Sequence, residues 1–503
     1  MAIEGVTGEV EDFTTGDKGL NSGALGLWSI VNLGLASTAP AYSLAATIGF
    51  VVIAVGYQAP IVMLLAFIPM WLVAVAYREL NSVVPDCGTT FTWAAKAFGP
   101  KTGWMGGWGM SIAGVIFMTS AAEVSANYLF SLFGLTSLSG NKLALIVVGS
   151  AFVGSMTWVT YRGIQGAAKL QYAMVALQIF SLGALSIVSL VAVFSGSGVE
   201  GVSLVPQLSW FNPFGISSWN SFVQAFLLCL FIYWGFDTTL AVNEESDDAA
   251  TTPGKAAVLS TIFLMIIYVL VTIAALAYLG LDVLNDPESA SDIFAVWAQP
   301  VLGEVGAKLL AFTVLVSAMS SMMTTILPTA RGTLAMAVYR AIPKRFAVVH
   351  PTYMTPSFST TTMGVVSIVL FVGLTFISEN VLEDTVTSTS FAIAFYYGLT
   401  ALTAVWYFRK HSFRNGRKEF FNKFLFPLFG GIILIYALIQ SMVDSFNPDY
   451  GNTSFGDIGG VFVIGVGSLL IGVVFMVACM FYLPAFFHGK TLRADTPVLV
   501  PDE

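Results

Sequence analysis

Between Lys18 and Arg78 the chain runs for 59 residues without an Asp, Glu, Lys, Arg or His. A water-soluble domain has about a quarter of its residues charged, so a stretch of this length points away from an aqueous fold. A bilayer core about 30 Å thick is crossed by about 20 apolar residues rising 1.5 Å each. The stretch therefore predicts two membrane-crossing helices joined by a tight turn. Further uncharged runs lie at 102–141 (interrupted only by Glu123), 143–161, 170–199, 201–236, 256–281, 309–330, 351–378, 385–408, 424–443 and 458–487. Together they predict twelve crossings, in an all-α integral membrane protein. The whole-chain values agree: 56% hydrophobic, 10% charged and a mean hydropathy of +0.81.

Charge gives the orientation. Cytoplasmic loops are enriched in Lys and Arg. The set of loops that includes both termini carries 19 of the 21 basic residues, while the opposite set holds only Lys142 and Lys308. Both termini are thus expected in the cytoplasm, with the protein a multi-pass component of the plasma membrane. The acidic start (Glu4, Glu9, Glu11, Asp12) lacks the basic region of a signal peptide, so the first helix is expected to be retained. The net charge of −8 and the lack of a basic tract argue against nucleic acid. Cys87, Cys229 and Cys479 are scattered, with no metal or disulfide spacing. Segment 81–103 is amphipathic enough for a helix lying along the membrane surface. Segments 195–219 and 281–305 read as loops or short helices on the outer face.

Two predicted helices carry residues that do not suit the middle of a membrane. The first has Ala36-Ser37-Thr38-Ala39-Pro40-Ala41-Tyr42-Ser43 at its centre. Pro40 removes a backbone donor and collides with the preceding turn. The sixth has Gly235-Phe236-Asp237 near its middle, a poor helix former beside an ionisable group that is costly at that depth. Singly, these read as a proline kink and a glycine packing notch. Jointly, they open consecutive sets of five helices, which marks an inverted-repeat transporter with its site at the two breaks. Half-helix amino ends there face an anion and carboxyl ends a cation, as a small zwitterion requires.

At these motifs the chain resembles the amino acid–polyamine–organocation superfamily of secondary transporters, in its amino acid permease form. The resemblance rests on Gly235-Phe236-Asp237 with Glu244-Glu245, TTPGKA at 251–256, YRELNSVVPDCGTTFTWAAKAFGP at 77–100 and ARGTLAMAVYRAIP at 330–343. It implies a five-plus-five inverted repeat with discontinuous helices 1 and 6, helices 11 and 12 outside it, and alternating access. The implied organisation is a cytoplasmic tail at 1–21, a first repeat at 22–194, a second at 195–408, helices 11 and 12 at 409–485 and a second cytoplasmic tail at 486–503. Carried over by position, Ser37, Thr38, Ala39, Ala41 and Tyr42 line the break in helix 1, with amides of Thr38, Ala39 and Ala41 on the cargo carboxylate. Ile232, Tyr233, Trp234, Gly235 and Phe236 line the other break, with carbonyls of the first three on its ammonium. Members often have glycine where Pro40 stands, and some proton-coupled members have lysine at the position of Gln178. Glutamine cannot carry that proton.

Two acids lie within the predicted membrane, Glu123 and Asp237, with no mid-helix Lys or Arg to neutralise them. Each calls for a proton, a sodium ion or the cargo's ammonium. Asp237 also suits the N-cap of the second half of helix 6, accepting from Thr239 or Leu240. Thr119, Glu123 and Asn127 share one helical face, as interhelical glue or as a binding and protonation stripe. Ser320, Ser321 and Thr324 offer hydroxyls for sodium or for helix packing. Among aromatic residues, Trp234 and Phe236 are favoured to gate the pocket over Tyr42, Phe395 and Tyr396. The acidic run from Glu244 to Asp248 reads as a solvated helix end.

The expected function is a proton-coupled transporter of a small amino acid or amine. The alternatives are a sodium-coupled symporter or an exchanger on the same fold, and then a polyamine importer. No enzyme, metal or cofactor is expected: the membrane segments hold no histidine, and no phosphate-binding GxxxxGK[ST] loop occurs.

Overall fold

The structure, a computed structural model, describes residues 18–286, 293–378, 380–410, 412–413 and 416–497. The expectations for Glu4, Glu9, Glu11 and Asp12 lie outside the described residues. Helix 1 consists of 1a (Leu27–Thr38) and 1b (Pro40–Val55), followed by helix 2 (Ala59–Asn81), helix 3 (Pro100–Leu132), helix 4 (Lys142–Tyr161) and helix 5 (Ile164–Phe194). Helix 6 is likewise split, into 6a (Trp219–Tyr233) and 6b (Thr238–Ala241). Helix 7 (Thr252–Leu284), helix 8 within Ile293–Val338, helix 9 (Ser357–Ile377), helix 10 (Val381–Phe408), helix 11 (Arg417–Asp444) and helix 12 (Gly460–Tyr482) complete the order. Among the described residues eleven segments are long and apolar enough to cross a membrane; the first, Leu27–Asn81, runs helices 1 and 2 together over 55 residues, enough for two crossings. Lys18 and the segment 484–496 lie on one face, where Tyr339 meets both Lys18 and Thr491; it is called here the terminal face.

Both expected breaks are present, and each has a local cause. Pro40 has no N–H, so the ladder cannot pass it. Ala39 takes a left-handed conformation (φ 45°, ψ 70°) and its amide closes 1a on the Leu35 carbonyl. Pro40 then becomes the first residue of 1b, where its missing donor is not needed. It starts a helix rather than kinking one. In helix 6, Trp234 is extended and Gly235 sits at φ +119°. A Cβ on Gly235 would meet the Ser37 hydroxyl at 2.9 Å and backbone atoms of Ser37 and Thr38 at 3.0 and 3.1 Å. The glycine lets the two breaks touch.

Segment 81–103 departs from its predicted place. It forms a helix (Thr90–Phe98), but Phe91 and Trp93 are buried and Ala95 packs on Gly103 of helix 3. Its apolar face is covered by protein. At the opposite face, 195–219 contains two short 3₁₀ turns, Leu208–Phe211 and Pro213–Gly215, and a two-stranded hairpin pairs Ser454 with Gly459 between helices 11 and 12.

Candidate functional site

The two breaks meet inside the helix bundle. The Ser37 hydroxyl, on the last turn of 1a, lies 2.8 Å from that of Thr238 at the start of 6b. Ser321 of helix 8 donates to the Ser37 carbonyl at 2.7 Å, and Ser317 accepts the Tyr42 amide at 3.0 Å. Ser317 in turn donates to the Gln178 side-chain carbonyl at 2.7 Å. A chain from helix 5 through helix 8 to the amino end of 1b results. The Gln178 amide nitrogen and the Ser320 hydroxyl are buried without a hydrogen-bond partner among the described residues.

Asp237 is buried within the break of helix 6, yet it makes no cap hydrogen bond to 6b. The amides of Thr239 and Leu240, the expected donors, go instead to the Phe236 and Asp237 carbonyls. Tyr396 and Tyr397 each donate a hydroxyl to the Asp237 carboxylate at 2.8 Å, one to each oxygen. Tyr396 also receives the Trp234 indole N–H, and Tyr397 receives the Gly235 amide at 3.3 Å. The acid is thus built into a network that fixes the unwound residues. Hydrogen bonds to a charged acceptor of this kind contribute about 1.5–3 kcal/mol each.

The aromatic residues divide into two groups. Tyr42, Phe117, Phe231 and Trp234 form one cluster, with Trp234 at 5.3 Å edge-on to Phe117 and Tyr42 at 5.5 Å edge-on to the same ring. Phe236 turns the other way, packing on Tyr77 and Tyr397 at 5.7 and 4.9 Å. Tyr42 also pairs its hydroxyl with Ser120 at 2.9 Å.

Several of the predicted cargo contacts already have protein partners. The Ala39 amide is held by Leu35, and the Ile232 carbonyl accepts the Tyr268 hydroxyl at 2.7 Å. The amides of 1b begin only at Ala41, since Pro40 has none. Ser321 is likewise engaged, and Thr324 donates to the Ser320 carbonyl at 2.9 Å.

Glu123 stands differently. One of its carboxylate oxygens is buried with no partner among the described residues, as are the Thr119 hydroxyl and the Asn127 side-chain carbonyl. These three successive polar groups share the face of helix 3 that also carries Ser120. Glu123 is within electrostatic reach of Tyr42 and of Asp384 at the start of helix 10. Further along helix 3, Tyr128 and Ser131 line a cleft of about 180 Å³ with Phe294, Gln299, Glu304 and Lys308.

Sequence reading missed Tyr397, Ser120, Ser317 and Tyr268. Tyr397 lies one residue from a named candidate, but only the rotation of helix 10 aims both hydroxyls at Asp237. It also misjudged the acidic run. Glu244 and Glu245 are buried rather than solvated, held by Lys18 at 2.6 Å and by Arg331 at 2.6 Å respectively.

The chain can now be set beside known proteins. Residues 25–466 match the family described as "Amino acid permease". An uncharacterised transporter of Mycobacterium tuberculosis is 26% identical over 80% of each chain. The low-affinity putrescine importer of Escherichia coli is 25% identical over 68% of this chain and 73% of its own. The arginine/ornithine antiporter of Latilactobacillus sakei is 23% identical over 60% of this chain and 62% of its own. A manganese transporter of Eremococcus coleocola shares the fold, with a TM-score of 0.55 at 12% identity over 95% of this chain and 99% of that one. With its two interrupted helices and a match across most of its length, the chain belongs to the amino acid permease family of membrane transporters, and is not an enzyme.

Proposed function

We propose that the protein moves a small amino acid or related amine across the plasma membrane by alternating access, with both termini in the cytoplasm and transport coupled to protons. The reading rests on one observation above others: two helix breaks in contact inside the helix bundle, with the buried Asp237 carboxylate between them and helix 10. Unwound backbone inside a membrane is tolerated only against protein or a cavity, and carboxylates there mark ion or cargo pathways. In this reading the first repeat spans 22–194, the second 195–408, and helices 11 and 12 at 409–485 stand outside both. The amino end of 1b, from Ala41, takes the carboxylate. Carbonyls of Tyr233 and Trp234 take the ammonium, with Trp234 closing over it.

Glu123 is the protonation site, or the group that reads a second positive charge on the cargo. Its oxygen has capacity that no described residue fills. The relatives that carry putrescine or exchange arginine for ornithine make a cationic amine the first cargo to try. Sodium coupling is less favoured, since of the three candidate hydroxyls Ser321 already serves helix 1 and Thr324 its own helix, which leaves Ser320 alone.

The test is uptake into liposomes containing the purified protein, preceded by a melting-temperature screen of amino acids and amines. A bound cargo raises the melting temperature. An imposed proton gradient should drive accumulation of the cargo found. Accumulation that needs sodium, or that needs a cargo inside and ignores pH, would replace proton coupling by the corresponding alternative.

A further inference from the structure

The terminal face is closed by residues from both ends of the chain. Lys18, which precedes helix 1, has a fully buried side chain. Its ammonium sits 2.8 Å from Asp86, in the segment after helix 2, and 2.6 Å from Glu244, just beyond 6b. The Cys87 amide donates to the same Glu244 oxygen at 2.9 Å. Backbone bonds add to this closure: the Leu25 amide donates to the Glu245 carbonyl and the Asp247 amide to the Leu25 carbonyl, each at 3.0 Å. One lysine thereby ties helix 1a, the helix 2–3 segment and the end of helix 6 together.

Tyr339, at the end of helix 8, connects this closure to the other end of the chain. Its hydroxyl donates to Asp86 at 2.9 Å and its ring lies 5.8 Å beneath the Lys18 ammonium. Its carbonyl accepts the Thr491 hydroxyl at 2.5 Å. After helix 12 the chain folds back over the terminal face. Phe486 is fully buried and stacks on Phe91 at 5.5 Å, Leu492 is 1% exposed, and Lys96 donates to the Thr496 carbonyl. Leu20, Cys87, Phe91, Tyr339, Phe486 and Leu492 share one apolar cluster, separate from the core between the membrane helices.

We propose that the two ends of the chain work as a single seal, in which Lys18 bolts the terminal face shut and the segment 484–496 braces that bolt through Tyr339 and Phe91. Releasing the brace loosens the bolt. The seal is built to open as well as close. Two carboxylates share one ammonium, and the second oxygen of Glu244 is buried without a partner among the described residues. Withdrawing Lys18 leaves Asp86 and Glu244 uncompensated in a buried site, which is strongly unfavourable, so the segments they belong to part and admit water. This bears on transport only through the alternating-access reading, whereas the seal itself is tested without any cargo.

Cys87 reports on it. Its thiol is 3.7 Å from the Lys18 ammonium and unexposed, while Cys229 is buried in the main core between the helices. In full-length protein carrying Cys479→Ser, the rate of Cys87 modification by a charged maleimide is measured by mass spectrometry, with Cys229 as the internal control. Lys18→Met, and separately Leu492→Ser and Phe486→Ala, should each raise the Cys87 rate at least tenfold while Cys229 stays unreactive. An unchanged Cys87 rate in the Leu492 and Phe486 variants would overturn the brace. Simultaneous reaction of Cys229 would overturn it too, because the segment would then hold the whole fold rather than the seal. Cargo uptake in the same variants is a separate readout: its absence in the unsubstituted protein would count against the transport reading and leave the labelling result standing.

Discussion

The Tyr397 hydroxyl stands between the Asp237 carboxylate, to which it donates at 2.8 Å, and the Gly235 amide, from which it accepts at 3.3 Å. One side chain from helix 10 thus holds both the acid and the unwound backbone of helix 6. Tyr397→Phe removes only the oxygen. Losing a hydrogen bond to a charged group costs about 1.5–3 kcal/mol, and a loss of about 1.4 kcal/mol in binding is tenfold. Cargo affinity should fall at least tenfold, with a lower melting temperature; unchanged values for both would show that the contact holds nothing in place.

Glu123→Gln keeps the shape and removes the titration. If Glu123 carries the proton, uptake by the variant becomes insensitive to pH, while cargo binding at low pH is retained. If Glu123 instead reads a second charge, the variant loses diamines and cationic amino acids more than neutral ones. A variant with wild-type pH profile and wild-type preference would remove Glu123 from both roles.

Gly235→Ala tests whether the breaks must touch. The backbone at φ +119° disfavours any side chain, and the added methyl would press on Ser37 and Thr38. Strain of this kind costs about 1–3 kcal/mol. Melting should occur at lower temperature and transport should fall sharply, whereas Gly373→Ala, where a Cβ meets open space, should leave both unchanged.

The seal makes stability depend on pH. Burial holds the Glu244 and Glu245 carboxyls above their ordinary 4.5, despite Lys18 beside the first and Arg331 beside the second. A raised folded value means the folded state holds the proton more tightly, so this contribution is full below 4.5 and is lost as pH rises through the raised values. Asp86 acts oppositely: burial is outweighed by Lys18, Thr92 and the Gly88 amide, its value is lowered, and its contribution disappears only as pH falls below 3.8. Burial disfavours the Lys18 ammonium, but the carboxylates of Asp86 and Glu244 outweigh it and hold its value well above the ordinary 10.5. As pH falls from neutrality toward 4.5, this contribution should therefore raise the melting temperature. Glu244→Gln should reduce that slope, which scanning calorimetry in detergent would show; an identical slope would exclude Glu244 as its source.

Much of this was legible in advance. Uncharged runs gave the crossings because hydrocarbon tolerates so few charges that their gaps mark the spans. Pro40 and Gly235 marked the breaks because each alters the backbone itself, whatever surrounds it. Asp237 could be placed but its partner could not: its capping role is a local preference, and its carboxylate is taken by two hydroxyls from helix 10. The run at Glu244 misled for a similar reason. Acidic residues at a helix end are usually hydrated, and only Lys18 and Arg331, distant in sequence, make their burial possible.

Length of apolar run, proline chemistry and the distribution of charge were thus sufficient to determine a twelve-helix chain interrupted in its first and sixth helices, since each acts through solvent or through the residue's own backbone. Tertiary structure alone decided that the breaks meet at Ser37 and Thr238, that Tyr396 and Tyr397 hold Asp237, and that Lys18 closes the terminal face. Those contacts join residues about 70 to 230 positions apart, and no local preference encodes a partner that only packing brings within 3 Å.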